Sequence, residues 1–318
     1  MGFVRAEGNA APEGVEELWL TSRDGARLRF AFAPGPDAPR GTVILCPGRT
    51  EFIEKYFEAI KDFQARGFCV LCVDWRGQGL SDRATANRMK GHLVSLDQPA
   101  KDLAFAIRSW THRLPRPRII VAHSMGGGIV LRGLQQGYLH PAAAVFSAPM
   151  WGIAKLPRGA AALARTMTAI GAGKTFVSGR ATAWAPEPFE AQVVTHSRER
   201  HERGQRILAA DPKLAIAGPT FGWLSAALAA IKGFQAPGAL SHLTLPVVVV
   251  SAGEEKLVDN ASHAAIAAVL PNAKHVTVPG AYHELMMETD ALRAAFFAAF
   301  DDLADQVAPA RGEQRQAV

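Results

Sequence analysis

The segment IIVAHSMGGGIVLRGL sets one serine, Ser124, between an apolar run and a run opened by small residues. At a sharp strand-to-helix turn such a serine presents its hydroxyl clear of the backbone and can act as a nucleophile. A turn that tight leaves no room for neighbouring Cβ atoms beside the serine, and Gly126 and Gly127 follow it; upstream, the small Ala122 stands where glycine is usual. The turn also aims the backbone N–H of Met125, at a helix N-terminus, toward the place where an attacked carbonyl oxygen would gather charge. A serine hydroxyl is a weak nucleophile at neutral pH, so a general base and an acid that orients it are required. The chain offers ten histidines as bases, and EEKLVDN offers three acids: Glu254, Glu255 and Asp259.

Such groups must be gathered by a scaffold. EELWLTSRDGARLRFAF reads as two strands joined at Asp24-Gly25. Further strands are predicted at TVILC (42–46), FCVLCVDW (68–75), RIIVAHS (118–124), AAAVFSA (142–148), PVVVVSA (246–252) and KHVTV (274–278). Their nearly continuous apolar character predicts burial on both faces, as in a parallel sheet. Helical periodicity falls at Ile53–Arg66, Asp97–His112, Met125–Gln136, Ala261–Leu270 and about Asp290 to Val307. Alternating strands and helices predict an α/β class with a mostly parallel, doubly wound sheet. From 150 to 239 there is no clean strand, but there are small-residue helical patterns with Trp151, Trp184 and Trp223, which predict an inserted helical cap. The core is expected at 15–149 and 240–307, with flexible ends at 1–14 and 308–318.

A serine turn inside a doubly wound sheet is the arrangement of the α/β-hydrolase fold, where the order along the chain is serine, acid, histidine. The base comes from the loop after the last strand, here VPGAYHELMME, so His283 is the candidate. His123 flanks the serine, while His112, His140, His242 and His263 fall at helix ends or loops and His196 and His201 in a charged helix; structural or solvated roles are expected for all of these. A second oxyanion donor is expected in PGRTE after TVILC, the N–H of Arg49, although Pro47-Gly48 stands where many relatives have His-Gly.

Taken together, CPGRTEFIEKYFE, DWRGQGLSDR, AHSMGGG, SAPMWGI, THSRERHERG, GPTFGW, EEKLVDN and GAYHELMME resemble the bacterial lysophospholipases of the monoacylglycerol-lipase type, over roughly residues 40–300. The resemblance implies an enzyme that cleaves a fatty-acyl ester from a lysophospholipid or monoglyceride, with no metal or organic cofactor. In that family an aspartate precedes a basic residue, an aliphatic pair and a second aspartate. Here Glu255 precedes Lys256-Leu257-Val258-Asp259, so the resemblance puts Glu255 in the acid's place, with Asp259 as runner-up. A carboxylesterase would use the same residues, and a catalytically silent binding protein is the reading of another class.

Composition narrows the remainder. The chain has 318 residues, net charge +6 and no stretch of about 18 apolar residues, so a cytoplasmic protein without a membrane span is expected. Cys46, Cys69 and Cys72 lie in predicted buried strands, and residues three apart on a strand face opposite ways, so the C-x-x-C is read as core. No nucleic-acid motif appears. Gly77-x-Gly79 lacks the third glycine of a dinucleotide site and is read as a structural turn; Gly173-Lys174-Thr175 has no preceding strand and lacks the first glycine of a phosphate loop. Residues 150–240 carry 11 Lys or Arg against 5 Asp or Glu. Within them THSRERHERGQR pairs Arg198 with Glu202 and Glu199 with Arg203 at i,i+4, predicting a solvated face; a cationic rim for phosphate headgroups or an anionic membrane surface is the alternative.

Overall fold

The apolar runs form eight strands of one sheet: β1 (Glu16–Thr21), β2 (Arg27–Ala33), β3 (Gly41–Cys46), β4 (Phe68–Val73), β5 (Arg118–His123), β6 (Ala143–Ser147), β7 (Val247–Ala252) and β8 (Ala273–Val278). This computed structural model describes residues 2–310. The strand order is β1-β2-β4-β3-β5-β6-β7-β8. β1, β2 and β4 pair antiparallel, and every pair from β4 through β3 to β8 is parallel. Gly25 closes the first hairpin at φ +89°, where a glycine costs little.

Alternation along the buried strands divides the core in two. Val43, Leu45, Val70 and Cys72 meet α1 (Phe57–Ala65) and α8 (Asp290–Val307) through Phe63, Phe296 and Phe300. Ile44, Cys46, Cys69 and Leu71 side with α2 (Asp97–Ser109), α3 (Met125–Gln135) and α7 (Asn260–Val269) through Leu103, Ile129 and Ile266. Each fully buried side chain of this size contributes about 1.5–3 kcal/mol. Cys69 and Cys72 therefore face opposite layers, and all three cysteines are buried and free. The carboxyl ends of β3, β5, β7 and β8 deliver their loops to one rim of the sheet, where open α/β sheets hold their sites.

Between β6 and β7 lie α4 (Ala160–Ala169), α5 (Arg198–Ala210) and α6 (Phe221–Phe234). Four expectations need correction. Met150 and Trp151, assigned to the insertion on sequence, are core: Trp151 is fully buried and its indole N–H donates to Gly127 O at 3.2 Å. β8 is not buried on both faces, because as the edge strand it has β7 as its single neighbour and exposes Lys274 and His275. The N-terminal segment, expected to be flexible, is packed from residue 3 onward: Phe3 meets Phe57 edge to face, Val4 N–H donates to Glu54 Oε1 at 3.1 Å, and Asn9 donates to Glu54 O at 2.9 Å. At the other end Ala308 is buried and accepts from Arg40, while the expected tail from 311 onward lies outside the described residues. The fourth correction concerns the charge run of α5. Arg203 bonds Glu58 of α1 rather than Glu199, and Arg200 bonds Glu58 and Asp290. That face is docked on the core because Glu58 collects the guanidinium groups; the expected Arg198–Glu202 pair is present at 3.4 Å on the exposed side.

Candidate active site

Ser124 is the N-cap of α3, at φ +48° and ψ −119°. A non-glycine residue there is strained and persists where its surroundings over-determine it. Its N–H donates to Ser147 O at 3.0 Å, and its carbonyl accepts from Gly128 N at 3.2 Å and Met150 N at 2.8 Å. The glycines beside it are required for a reason different from the expected one. A Cβ on Gly126 would stand 2.5 Å from the carbonyl oxygens of Cys46 and Pro47, and one on Gly127 would stand 2.6 Å from Pro149 Cβ. The crowding comes from the loops after β3 and β6, which close on the turn.

The Ser124 hydroxyl donates to His283 Nε2 at 2.8 Å, and His283 Nδ1–H donates to Glu255 Oε2 at 2.6 Å. His283 and the Glu255 carboxylate are buried, while Ser124 is partly open. The second oxygen of Glu255 accepts from the N–H groups of Lys256 and Leu257 at 2.8 Å and of Val258 at 3.3 Å. Burial alone would favour the neutral acid, but the His283 bond and these amides overturn it and hold Glu255 down to about 2. The glutamate's extra methylene lets one oxygen stay on the turn's amides while the other reaches the imidazole. Asp259 is not brought into this chain of bonds: it caps α7, accepting from Ala261 N at 3.0 Å. Glu254 is exposed.

The loop after β3 is fixed residue by residue. Gly48 N–H donates to Glu51 Oε2, Gly48 O accepts from Gln78 Nε2 at 3.0 Å, and Thr50 N–H donates to Gln78 Oε1 at 2.7 Å. The Arg49 N–H between them has no acceptor among the described residues. Nor has the Met125 N–H an intrahelical partner, since it opens α3. A Cβ on Gly48 would lie 3.1 Å from Ser124 Cβ, so this loop stands against the serine. Both expected oxyanion donors are thus on backbone adjoining Ser124. Gln78 is presented by the turn of DWRGQGLSD. There Gly79 has φ +50° and a Cβ would strike the Asp74 carboxylate at about 2.1 Å. Asp74 itself is bound by Arg29 at 2.7 Å, and Arg29 by Glu54 at 2.7 Å, all fully buried. The turn is structural, as expected on sequence.

Several residues here escaped the sequence reading. Glu51 also accepts from Tyr56 OH at 2.7 Å and lies 3.0 Å from Lys55, which reaches Glu284, the neighbour of His283, at 2.6 Å. Against burial, Lys55 holds Glu51 down to about 2, while burial and the Glu51 charge raise Glu284. A largely buried ion network therefore joins the Arg49 loop to the His283 loop. From the insertion, Glu284 N–H donates to Val194 O at 2.9 Å, His196 stacks on Tyr282 at 3.8 Å, and Glu288 accepts from His196 and from Tyr282 N. His196 was expected in a charged helix; it stands before α5 and braces the loop of His283. His123 donates through Nδ1 to Ser147 O at 3.0 Å with its ring 4.7 Å from that of His283, and burial keeps it neutral, lowered to about 4. The residue types alone carry a faint signal for this shell: four charged residues and a tyrosine crowd an otherwise apolar EFIEKYFE.

The sheet, the serine at its turn and the hydrogen-bonded histidine and glutamate define a serine hydrolase of the α/β-hydrolase fold. The chain belongs to the family described as serine aminopeptidase S33, whose profile matches residues 37–290. It is 35% identical to lysophospholipase L2 of Escherichia coli over 90% of this chain and 86% of that one. It is 31% identical to a probable lysophospholipase L2 of Haemophilus influenzae, over 86% and 87% of the two chains. To the monoacylglycerol lipase of Mycolicibacterium smegmatis it is 28% identical over 84% and 89%. Among solved structures, a soluble variant of monoglyceride lipase from Saccharomyces cerevisiae superposes with a TM-score of 0.76 at 17% identity, over 96% of this chain and 99% of that one, a likeness of fold. The chain is an ester hydrolase of the serine type. No helix among the described residues is long and apolar enough to cross a membrane.

Proposed function

We propose that the chain hydrolyses the fatty-acyl ester of lysophospholipids. Ser124 Oγ attacks the acyl carbonyl carbon as His283 Nε2 takes its proton, and Glu255 fixes the imidazole tautomer and balances the imidazolium. The N–H groups of Met125 and Arg49 receive the oxyanion. His283 then protonates the departing glycerol oxygen, and water, deprotonated by the same nitrogen, releases the fatty acid. The observation that carries this reading is the run of bonds from Glu255 through His283 to Ser124, ending beside two backbone N–H groups with no acceptor among the described residues.

The insertion of 150–239, less the core residues Met150 and Trp151, acts in this reading as the cap. Trp223 of α6 donates to Met125 Sδ at 3.3 Å, so the insertion touches the residue after the nucleophile. A cavity of about 490 Å3 runs between insertion and core, with Arg49 and Glu284 on its wall, a size suited to a small lipid headgroup or part of a chain. On the outer side, Leu163 of α4 and Ile170 just past its end are exposed, and residues 150–186 hold Lys155, Arg158, Arg165, Lys174 and Arg180 with no acidic residue. An apolar ridge among cations supports peripheral contact of a cytoplasmic enzyme with an anionic membrane surface. The test is hydrolysis of lysophospholipid, monoglyceride and short-chain ester of matched chemistry below their aggregation thresholds. Higher kcat/KM for the lysophospholipid is expected; preference for the monoglyceride would transfer the chain to the monoacylglycerol-lipase reading. Absence of labelling by a fluorophosphonate would support a silent binding protein.

A further inference from the structure

Three of the cap arginines expected as a rim are spent on protein carboxylates: Arg198 on Glu190 and Glu202, Arg200 on Glu58 and Asp290, Arg203 on Glu58. The cavity beside the site has Arg49, Lys55 and Arg200 among its cations and Glu187 and Glu284 among its acids. Lys55 is held between Glu51 and Glu284. Arg49 differs from both. Its guanidinium donates from Nη1 to Ala217 O at 2.6 Å and lies over the Trp223 ring at 5.7 Å, with no carboxylate on it among the described residues. Burial alone acts on it, pulling it down to about 10, still charged at neutral pH. Nε and Nη2 have no acceptor among the described residues, and Arg49 lines the cavity. A guanidinium with a free edge matches two phosphate oxygens in a way an ammonium does not.

We propose that the Arg49 side chain is the anchor for the headgroup phosphate of the substrate, the same residue presenting its backbone N–H to the oxyanion. The span supports this. An arginine guanidinium stands roughly 6–7 Å from its own backbone when extended, and the six bonds from a lysolipid's ester carbonyl carbon to its phosphorus span about the same distance. One residue thereby measures the separation between scissile ester and phosphate, which a monoglyceride lacks. The inference rests on the lysophospholipase reading and names its specificity element.

Two measurements test it on the full-length enzyme. In Arg49→Gln, the ratio of kcat/KM for lysophospholipid over monoglyceride of the same acyl chain should fall about 10- to 100-fold, as expected for a lost charged hydrogen-bonding pair; any loss shared by both substrates cancels in the ratio. Arg49→Lys should recover part of the ratio. Separately, glycerophosphocholine should competitively inhibit hydrolysis of a soluble short-chain ester, and its inhibition constant should rise at least tenfold in Arg49→Gln; glycerol should not inhibit. An unchanged ratio, or an inhibition constant equal in both enzymes, overturns the proposal. Inorganic phosphate inhibiting as strongly as glycerophosphocholine also overturns it, by making Arg49 a free-anion site. The parent reading fails on a different measurement, wild-type preference for the monoglyceride, which the glycerophosphocholine comparison does not use.

Discussion

Gln78 touches neither Ser124 nor His283, yet it holds both sides of the backbone that offers the Arg49 N–H. Thr50, a β-branched residue, sits at φ +66°, a conformation that costs of order 1–3 kcal/mol and needs external support. Gln78 supplies it through a part-buried bond at 2.7 Å and a buried one at 3.0 Å. The substitution Gln78→Met keeps the volume and removes both bonds. Each is worth about 1 kcal/mol, more where the abandoned Gly48 carbonyl and Thr50 N–H stay dry, so the observed loop loses about 2–3 kcal/mol against relaxed alternatives. If that loss turns the Arg49 N–H away, kcat should fall by about 10- to 100-fold, within the ceiling of about 10²–10³ seen when one oxyanion donor is deleted. The assay is steady-state hydrolysis of a soluble short-chain ester, with KM expected within threefold because the ground-state carbonyl binds the donors weakly. Thermal unfolding should drop by about 2–4 °C per kcal/mol, which separates loop release from general unfolding. Adding Thr50→Gly should return part of kcat, since glycine holds positive φ without support. A kcat within twofold of wild type, or no recovery in the double variant, would refute the clamp.

Other outcomes follow from the same geometry. Ser124→Ala should remove turnover by several orders of magnitude with the circular dichroism spectrum unchanged, because the turn is held by backbone bonds. Glu255→Gln should lower kcat by about 10²–10⁴ on a soluble ester, whereas Asp259→Asn, a change at a helix cap, should cost less than tenfold; the reverse order would reassign the acid. His263, fully buried and donating to Pro149 O at 2.6 Å, is lowered by burial to about 4 from 6.5. Between these values the unfolded chain binds the proton and the folded one does not, so stability falls as pH drops below 6.5, by about 2 kcal/mol from pH 7 to pH 5. Denaturant midpoints at the two pH values should show that loss shrinking in His263→Gln, and an unchanged pH dependence would exclude His263 as its source.

What was legible in the sequence was local. The serine turn is spelled by an apolar strand, a small residue before and glycines after. The alternation of strands and helices follows from runs of Val, Ile and Leu whose burial the sheet then supplies. The acid required more, since EEKLVDN holds three carboxylates within six residues and the resemblance alone ranked Glu255 above Asp259. In the structure the two do different work: one carboxylate binds His283, the other caps a helix. Long-range side-chain pairings left no such trace. Nothing local says that Arg203 bonds Glu58, 145 residues away, instead of Glu199 on its own helix, because i,i+4 spacing is visible in sequence and the docking of α5 on α1 is not.

That asymmetry bears on how the site is held. The hydrogen-bonded chain at Ser124 uses three residues from the ends of β5, β7 and β8, but the precision it needs comes from groups spread across the fold. Gln78 fixes the Arg49 loop from the turn after β4. Lys55 ties Glu51 of that loop to Glu284 beside His283, so the Arg49 side and the imidazole side share one largely buried cation. The insertion closes the arrangement by bonding Val194 O to Glu284 N and stacking His196 on Tyr282. Removing either partner of such a buried pair strands a charge and costs more than the pair itself contributes. Lys55→Met should therefore disturb both loops at once, lowering kcat more than Gln78→Met and moving thermal stability with it. If Lys55→Met spared kcat while destabilising the fold, the two loops would be independent, and the network would serve stability alone.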